Sequence, residues 1–446
     1  MRRIILKPGE EGRIYRGHPW VYDNEVACVL DGKGDKPETG QGKTRQGDPV
    51  PGLTGLSAGE AVDVESSRKE YLGRGFANPR SKILVRIYSP SKEGADKGFF
   101  KRRIREALER RTPCYELGRE SCRAVFGEAD FLPGLIADRF VGWPLEDALR
   151  VRDGVVDFDG LAEKLGPPLS WLSLEFLSYG MDTRRDLILE AFAEVLPDPV
   201  LRGIVERSAP VRELEGLENR PGILEGSFPE KGIVIFENGF PMAVHLEEGQ
   251  KTGYYLDQRD NRLWVRNHGK ARQVLDLCAN TGGFSVHALR GGAQSVLAVD
   301  SSSRALEVLK LNAALNGFED SISTETGDIF DILPRYERDT SKRFDLVILD
   351  PPAFAKTRAS LESAMRGYKE INLRAIKLLR KGGILVSCSC SQAVGEGRFK
   401  AMIASSAADA GRRLIQLEFR QQSPDHPVLS GYDESHYLKC GCYLVL

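Results

Sequence analysis

The chain has 446 residues, 41% of them hydrophobic, with 63 Lys and Arg against 64 Asp and Glu. That length implies two to four domains with sizeable cores, and no run reaches the roughly 18 apolar residues of a membrane span. The opening MRRIILKPGEEGR turns polar after Leu6, unlike a secretory signal, and eight cysteines without framework spacing read as reduced thiols in a cytoplasmic protein.

Charge is unevenly spread. Residues 1–112 hold 23 Lys and Arg against 16 Asp and Glu, and the remainder holds 40 against 48. A basic N-terminal portion on a near-neutral protein suits a polyanionic partner; a solvated surface accounts for it equally well.

Residues 1–95 contain short alternating runs broken by Gly, Pro and Asn: RIILKPGEEGRI, GHPWVYDNEV, GEAVDVES, YLGRGFANP and ILVRIYS. This pattern predicts a small β-barrel. The stretch 31–55 is rich in Gly, Pro and charge and reads as a long loop inserted into it. A helix follows over 98–111, with Phe99, Ile104 and Leu108 near one face and basic residues around the rest. The stretch 96–240 as a whole reads as a helical linker and a small α+β domain, including a hairpin in CRAVFGEADFLPGLIADRF with its turn at Phe131 to Gly134.

From about residue 241 the character changes to strand–helix alternation. Strands are expected at 274–278, 295–300, 321–326, 344–350 and 383–389, with glycine-closed helices in SSRALEVLKLNAALNG and INLRAIKLLRKGG. Such alternation makes a parallel, doubly wound α/β sheet of Rossmann-like type over 241–446. RLIQLEF and HYLKCGCYLVL have no helix between them and should form an antiparallel hairpin at one side.

Ligands bind such a sheet at the carboxyl ends of its strands. The first end is DLCANTGGFS, with Asp276, Cys278, Asn280, Thr281, Gly282, Gly283 and Phe284; the glycines would let backbone approach a ligand. The second ends at Asp300 before Ser301, about where an acid meets a ribose diol. The third precedes Asp328 and Ile329, beside an adenine-sized slot, and the fourth precedes Asp350, Pro351, Pro352 and Phe354. The dinucleotide fingerprint G-x-G-x-x-G is absent, and four acidic residues would repel phosphates. S-adenosylmethionine, with its hydroxyls, amino group and positive sulfur, fits the set. Gln258, just before the first strand, and its neighbour Arg259 are placed to close over the cofactor.

The fifth strand ends in SCSCS. Cys388 and Cys390 share strand parity, so periodicity does not separate them, but Cys390 lies nearer the carboxyl end. A four-thiolate cluster with Cys440 and Cys442 is the rival reading; C-x-C spacing on a strand suits zinc poorly, and no metal is expected.

DLCANTGGFS, AVD, GDIF and LDPPAF resemble the motifs of class I methyltransferases. Over nearly the whole chain, KPGEEGRIYRGHPWVYDNEV, GRGFANPRSKILVRIYS, EADFLPGLIADRF, GYYLDQRDNR, RGYKEINLRAIKLLRKGGIL, SCS and DHPVLSGYDESHYLKCGCYLVL resemble the ribosomal RNA large subunit methyltransferase I family, cytosine carbon-5 methyltransferases of 23S ribosomal RNA. The resemblance implies an N-terminal PUA domain, a middle domain and a C-terminal methyltransferase domain, with Cys390 as the nucleophile. Two features depart from the family: the 31–55 loop is longer, and Ala353 stands where lysine is common.

Carbon 5 of cytosine is too weak a nucleophile to attack a sulfonium methyl. A thiolate added at carbon 6 moves electron density to carbon 5, which is covalent catalysis. Asp350 is the expected polar partner of the base. Phe354 could stack on an extruded ring, and Lys356, Tyr368 and Lys369 are placed to line its entrance. Arg16, His18, Trp20, Arg74, Arg80 and Arg86 offer RNA-facing cations with aromatics among them. Two alternatives stand beside this: an amino-group methyltransferase using DPPAF without a nucleophile, and a non-catalytic RNA-binding assembly factor. A homodimer is left open.

Overall fold

Apolar residues at alternate positions build the first of three sheets in the computed structural model, which describes residues 1–31, 55–152, 154–196, 200–207, 211–246, 254–354 and 361–446. The first sheet contains β1 (Arg3–Leu6), β2 (Trp20–Tyr22), β3 (Val26–Leu30), β4 (Ala61–Glu65), β5 (Tyr71–Ala77) and β6 (Ile83–Ser89), in the order β2-β6-β5-β4-β1-β3. Ile4, Leu6, Val21, Val62, Val64 and Val85 form its core. The expected small barrel takes the form of an open sheet: among the described residues no pairing of β2 with β3 closes a ring. All but the first and last residues of the expected 31–55 loop lie outside the described residues.

The helix Lys97–Arg111 begins where the Asp96 carboxylate accepts a hydrogen bond from the Phe99 N–H at 2.9 Å. Phe99, Phe100, Ile104 and Leu108 are buried in the same apolar cluster as Ile188 and Phe192 of the helix Arg185–Val195. The helix's basic face is largely neutralised. Lys97 and Lys101 pair with Glu194, Arg102 and Arg103 with Glu93, and Arg111 with Asp130.

The middle sheet contains β7 (Cys122–Phe126), β8 (Leu135–Pro144), β9 (Leu169–Phe176), β10 (Leu201–Glu206), β11 (Gly222–Gly226), β12 (Ile233–Glu237) and β13 (Phe240–Val244). Its order is β11-β10-β9-β8-β12-β13, with β7 paired to β8 as the expected hairpin. Phe131 and Gly134 in that turn both take positive φ. The sheet runs past the domain boundary expected at 241, because β13 pairs antiparallel with β12. Asn238 and Gly239 make the tight turn between them, both at positive φ, as a two-residue hairpin requires.

The third sheet contains β14 (Gln273–Leu277), β15 (Ser295–Asp300), β16 (Ile322–Thr326), β17 (Phe344–Leu349), β18 (Leu379–Ser389), β19 (Leu414–Arg420) and β20 (Lys439–Val445). The order is β16-β15-β14-β17-β18-β20-β19; the first five strands are parallel, and β20 joins β18 and β19 antiparallel. Chain direction across the sheet reverses at β14, so a crevice opens beyond its carboxyl end. One expectation is corrected. The helix Leu361–Leu378 does not run to Gly382 and Gly383; β18 already begins at Leu379, which pairs with Phe344 across a register shift. No described helix is long and apolar enough to cross a membrane.

A buried ionic network ties the middle sheet to the segment between β19 and β20. Arg111 donates to both Asp130 oxygens, at 2.8 and 2.6 Å, and to the Asp425 carbonyl at 2.8 Å. The Asp425 carboxylate accepts from the Arg123 N–H at 2.8 Å and the Tyr115 hydroxyl at 3.2 Å, and lies 2.8 Å from His426 Nδ1. Burial alone would raise the Asp130 carboxyl, but Arg111 and Arg110 outweigh it and hold it below the ordinary carboxylate range. Asp130→Ala strands a buried guanidinium and should cost about 3–5 kcal/mol at pH 7. Denaturant unfolding of the variant and parent checks this; a loss as small as that of an exposed-pair variant such as Asp159→Ala contradicts it.

Candidate active site

Two cavities meet in the third sheet's crevice. The first, about 500 Å³, lies at the carboxyl ends of β14–β17. Cys278, Asn280, Asp300, Ser301, Asp328, Ile329, Asp350, Pro351, Pro352, Phe354 and Gln258 line it, together with Cys390.

Local geometry explains why these groups converge. After β14 the chain turns sharply, with Cys278 and Asn280 both in the left-handed region, which is rare for residues with a Cβ. Asp300 holds the turn: its carboxylate accepts from the Asn280 N–H at 2.8 Å and the Ser302 N–H at 2.9 Å. Asp328 caps the helix Ile329–Arg338, accepting from the Phe330 N–H at 2.8 Å. Gln258 Nε2 donates to Asp350 Oδ1 at 3.0 Å, and Gln258 Oε1 accepts from Asn261 at 2.7 Å, so Asp350 is fixed from the side.

Several expected cofactor residues lie elsewhere. Asp276 is fully buried beneath the cavity, bonded by the Ser285 hydroxyl at 2.6 Å. Thr281, Gly282, Gly283 and Phe284 do not line the cavity. The two glycines are explained by packing: a Cβ at Gly282 would stand 2.6 Å from Leu309 Cγ, and one at Gly283 would stand 2.6 Å from Arg262 Nε. Arg259 pairs with Glu120 and stacks on Tyr115, linking two parts of the fold instead of covering the cavity.

The second cavity, about 440 Å³, lies between the middle sheet and the segment before β20. Arg123, Phe126, Glu128, His426, Tyr432 and Tyr437 are among its walls. Sequence reasoning assigned none of these six to a site; the only signal was their presence in the hairpin stretch CRAVFGEADFLPGLIADRF and in the 425–446 stretch. Tyr255, Asp257 and Cys390 line both cavities, so the Cys390 side chain stands at their junction.

The surroundings of Cys390 account for the serines beside it. β18 ends at Ser389, leaving Cys390 just past the strand and half-buried, whereas Cys388 is fully buried with Cys440 and Cys442 in an apolar cluster. The Tyr368 hydroxyl lies 3.0 Å from both the Ser389 and Ser391 hydroxyls. Tyr368 is thus a fully buried support under the Cys390 turn and not an entrance residue. Lys369, also expected at the entrance, pairs with Asp409 at 2.7 Å on the surface. Lys356 lies outside the described residues. Phe354 lines the first cavity, packed 4.6 Å from Tyr368 and 5.8 Å from Phe330.

The expected RNA-facing set is mostly internal. Arg86 pairs with Glu128 at 2.7 Å and Glu215 at 2.8 Å, and its guanidinium lies 4.7 Å from the Trp20 ring centre. Trp20 donates to Glu128 at 2.7 Å, and His18 is buried 5.5 Å from the Tyr432 ring. Arg74 binds Asp63 at 2.7 Å. These four residues hold the fold together; Arg16 and Arg80 remain exposed.

The first cavity fits S-adenosylmethionine by its donor set. Asp300, Asp328 and Asp350 offer acceptors for hydroxyls, an amino group and a positive sulfur, and Ile329 and Phe330 offer an apolar slot. Among the described residues no Lys or Arg lines it, which suits a cationic ligand and not a polyphosphate. Comparison with known proteins agrees. Residues 223–434 match the family model of an S-adenosylmethionine-dependent methyltransferase, and residues 4–90 match a PUA-like domain. The chain is similar to ribosomal RNA large subunit methyltransferase I from Shewanella denitrificans (37% identity, covering 98% of each chain) and from Klebsiella pneumoniae (35%, covering 98% of this chain and 96% of that one). A Streptococcus mutans structure described as a SAM-dependent methyltransferase shares the fold over 100% of both chains (TM-score 0.75, 20% identity), as does a chain described as a methyltransferase complexed with SAH (TM-score 0.76, 20% identity).

Fold and site together therefore define an S-adenosylmethionine-dependent methyltransferase joined to a PUA-like domain. Within that class, the chain belongs to the ribosomal RNA large subunit methyltransferase I family.

Burial pushes the Asp276 carboxyl up from 3.8 to about 7; the Ser285 hydroxyl opposes this, and Asp350 and Asp300 add to it. The folded chain therefore keeps a proton there that the unfolded chain loses above pH 4. Stability from this group is full below that pH and is lost as pH rises through about 7. Asp276→Asn should remove this dependence. Its melting temperature, relative to the parent's, should rise between pH 5 and pH 8.5; a constant difference contradicts the assignment.

Proposed function

We propose that this protein methylates carbon 5 of a cytosine in 23S ribosomal RNA, with Cys390 as the transient nucleophile. The observation that carries the reading is that Cys390 is shared by the two cavities: one suited to the methyl donor, the other open to a base. A nucleophile for carbon 6 has to touch both ligands at once, and a purely structural cysteine does not. The family membership supports ribosomal RNA as the substrate.

S-adenosylmethionine, when bound, supplies an electrophilic methyl group. Asp300 would hold its ribose hydroxyls, Asp328 and Ile329 its adenine, and Gln258 and Asp350 the end nearest the base. The extruded cytosine would occupy the second cavity, between the β7–β8 hairpin and the segment before β20. Cys390 adds through sulfur to carbon 6 and carbon 5 gains the electron density. After methylation a general base takes the carbon-5 proton, the electron pair of that bond restores the carbon 5–carbon 6 double bond, and the sulfur departs with the pair of its bond to carbon 6. Asp350, which accepts a hydrogen bond from Gln258, would bond the base as charge builds in the ring.

We assign the division of labour as follows: the PUA-like sheet and the exposed Arg16 and Arg80 contact RNA outside the site, the middle sheet walls the base cavity, and the third sheet carries the chemistry. An enzyme of ribosomal RNA would work in the cytoplasm, where that RNA is assembled.

Cys390→Ala should abolish methylation of 23S RNA while leaving binding of S-adenosylhomocysteine intact, and 5-azacytidine-containing RNA should crosslink to the parent at Cys390 only. Methylation that survives in Cys390→Ala points instead to an amino-group methyltransferase acting through the 350–354 turn. A second expectation concerns the ribose contact. Asp300→Ala should weaken S-adenosylhomocysteine by roughly tenfold to a hundredfold, following the about 1.5–3 kcal/mol typical of a hydrogen bond to a charged group. Calorimetric titration showing unchanged affinity would remove Asp300 from the cofactor site.

A further inference from the structure

Release of the product from Cys390 needs a group that removes the carbon-5 proton, and the place of that group is restricted. Carbon 5 has to face the methyl donor while the ring that carries it lies in the second cavity. A base for its proton therefore has to stand where the two cavities join. Among the described residues one carboxylate, Asp257, lines both. The other acids of the walls each belong to one cavity: Asp300, Asp328 and Asp350 to the first, and three glutamates to the second.

Asp257 lies in the short turn Leu256–Gln258 and is 5% exposed. Its main chain and side chain have separate tasks. The carbonyl accepts from the Ser423 N–H at 2.9 Å and the Ser423 hydroxyl at 3.1 Å, which ties the turn to the segment before β20. The carboxylate accepts from the Tyr437 hydroxyl at 2.6 Å, and Tyr437 is a wall of the second cavity. Tyr437 is fastened in turn to the segment that carries the nucleophile. The buried Lys439 donates to the Tyr437 carbonyl at 2.7 Å and to the Ser391 carbonyl at 2.6 Å, so it clasps the residue after Cys390. Gln392 donates to the Glu434 carbonyl at 2.6 Å and adds a second tie. Hydrogen bonds thus run from the Asp257 carboxylate through Tyr437 and Lys439 to the Cys390 turn. A carboxylate has about four lone-pair sites, so the bond from Tyr437 orients it without using up its capacity to take a proton.

We propose that Asp257 is the general base that takes the carbon-5 proton, with Tyr437 as the positioning residue that orients its carboxylate. The carbon–hydrogen bond breaks as an O–H bond forms on Asp257. The pair of the broken bond becomes the carbon 5–carbon 6 double bond, and the sulfur leaves with the pair of its bond to carbon 6. Water takes the proton from the carboxyl once the methylated RNA has departed. The inference rests on Cys390 being the nucleophile and assigns the step that frees it.

The test uses 23S RNA containing 5-tritiated cytosine, carbon-14-labelled S-adenosylmethionine and the full-length protein. In the parent, tritium release to water should keep pace with methyl incorporation, and no protein–RNA adduct should survive SDS. Asp257→Asn keeps the shape of the side chain and the Ser423 bonds but lacks the basic carboxylate. It should transfer the methyl group yet release tritium roughly a hundredfold more slowly, the loss typical of a general base, leaving methylated, tritiated RNA bonded to Cys390. Tritium release at the parental rate overturns the proposal. So does an Asp257→Asn protein that binds S-adenosylhomocysteine normally but transfers no methyl group, since the residue then acts at an earlier step. Should Asp257→Asn fail to fold, Tyr437→Phe decides: about tenfold slower tritium release with adduct accumulating supports the assignment, and parental release overturns it. The two readings fail separately. Methylation that persists in Cys390→Ala removes the nucleophile, whereas methylation lost in Cys390→Ala with no adduct in Asp257→Asn removes the base alone.

Discussion

The Asp425 carboxylate is almost wholly shielded from water, so protein groups have to satisfy it, and the groups that do so come from two sheets. Arg123 belongs to β7, Tyr115 to the connection before it, and His426 to the segment leading into β20. Arg111 and Asp130 extend the network to the helix Lys97–Arg111 and the β7–β8 turn. A buried network of this kind tolerates little displacement, because each lost partner strands a charge. It therefore fixes the segment carrying Tyr432, Tyr437 and Lys439 against the middle sheet. The second cavity is the space left between those two surfaces, so its width is set by these ionic contacts.

The two halves of the crevice differ in chemistry for a reason that lies in the backbone. The cofactor side is built from strand ends, where a carboxylate is held by main-chain N–H groups, as with Asp300 and Asp328. The second cavity is built from aromatic and charged side chains brought together by packing between sheets. The turn that bears Cys390 joins them. It is supported from below by the Tyr368 hydroxyl, through Ser389 and Ser391, and clasped from the side by Lys439.

The parallel sheet was legible in the sequence because its signals are local: apolar runs of strand length, helices closed by glycine and an acid at successive strand ends. The four acids do lie at successive strand ends, yet Asp276 lies under the cavity and not in it, since one-residue alternation decides which face a strand carboxylate takes. The start of β18 was hidden because Leu-Arg-Lys-Gly-Gly has the composition of a helix end; pairing of Leu379 with Phe344 overrides that preference. The edge of the middle sheet was legible and was passed over. Asn238-Gly239 between two apolar runs is a strong hairpin signal, and it places 240–244 with the middle sheet. The basic residues of the first sheet were the least readable. Arg86 looks solvated until Glu128 and Glu215, distant in sequence, fold onto it. Lys439 carried no local signal at all, because the carbonyl it clasps, that of Ser391, lies far earlier in the chain.

That separation has a consequence for biosynthesis. Strands β14 to β17, with Asp300, Asp328 and Asp350, emerge from the ribosome well before β20 does, and domains form as their elements become available. β18 pairs with β17 on one side, but its other edge and the clasp on the Cys390 turn wait for β20. A nascent chain could thus hold a formed cofactor crevice while the turn that carries Cys390 still lacks its neighbour, so the crevice is complete only after translation has passed residue 445.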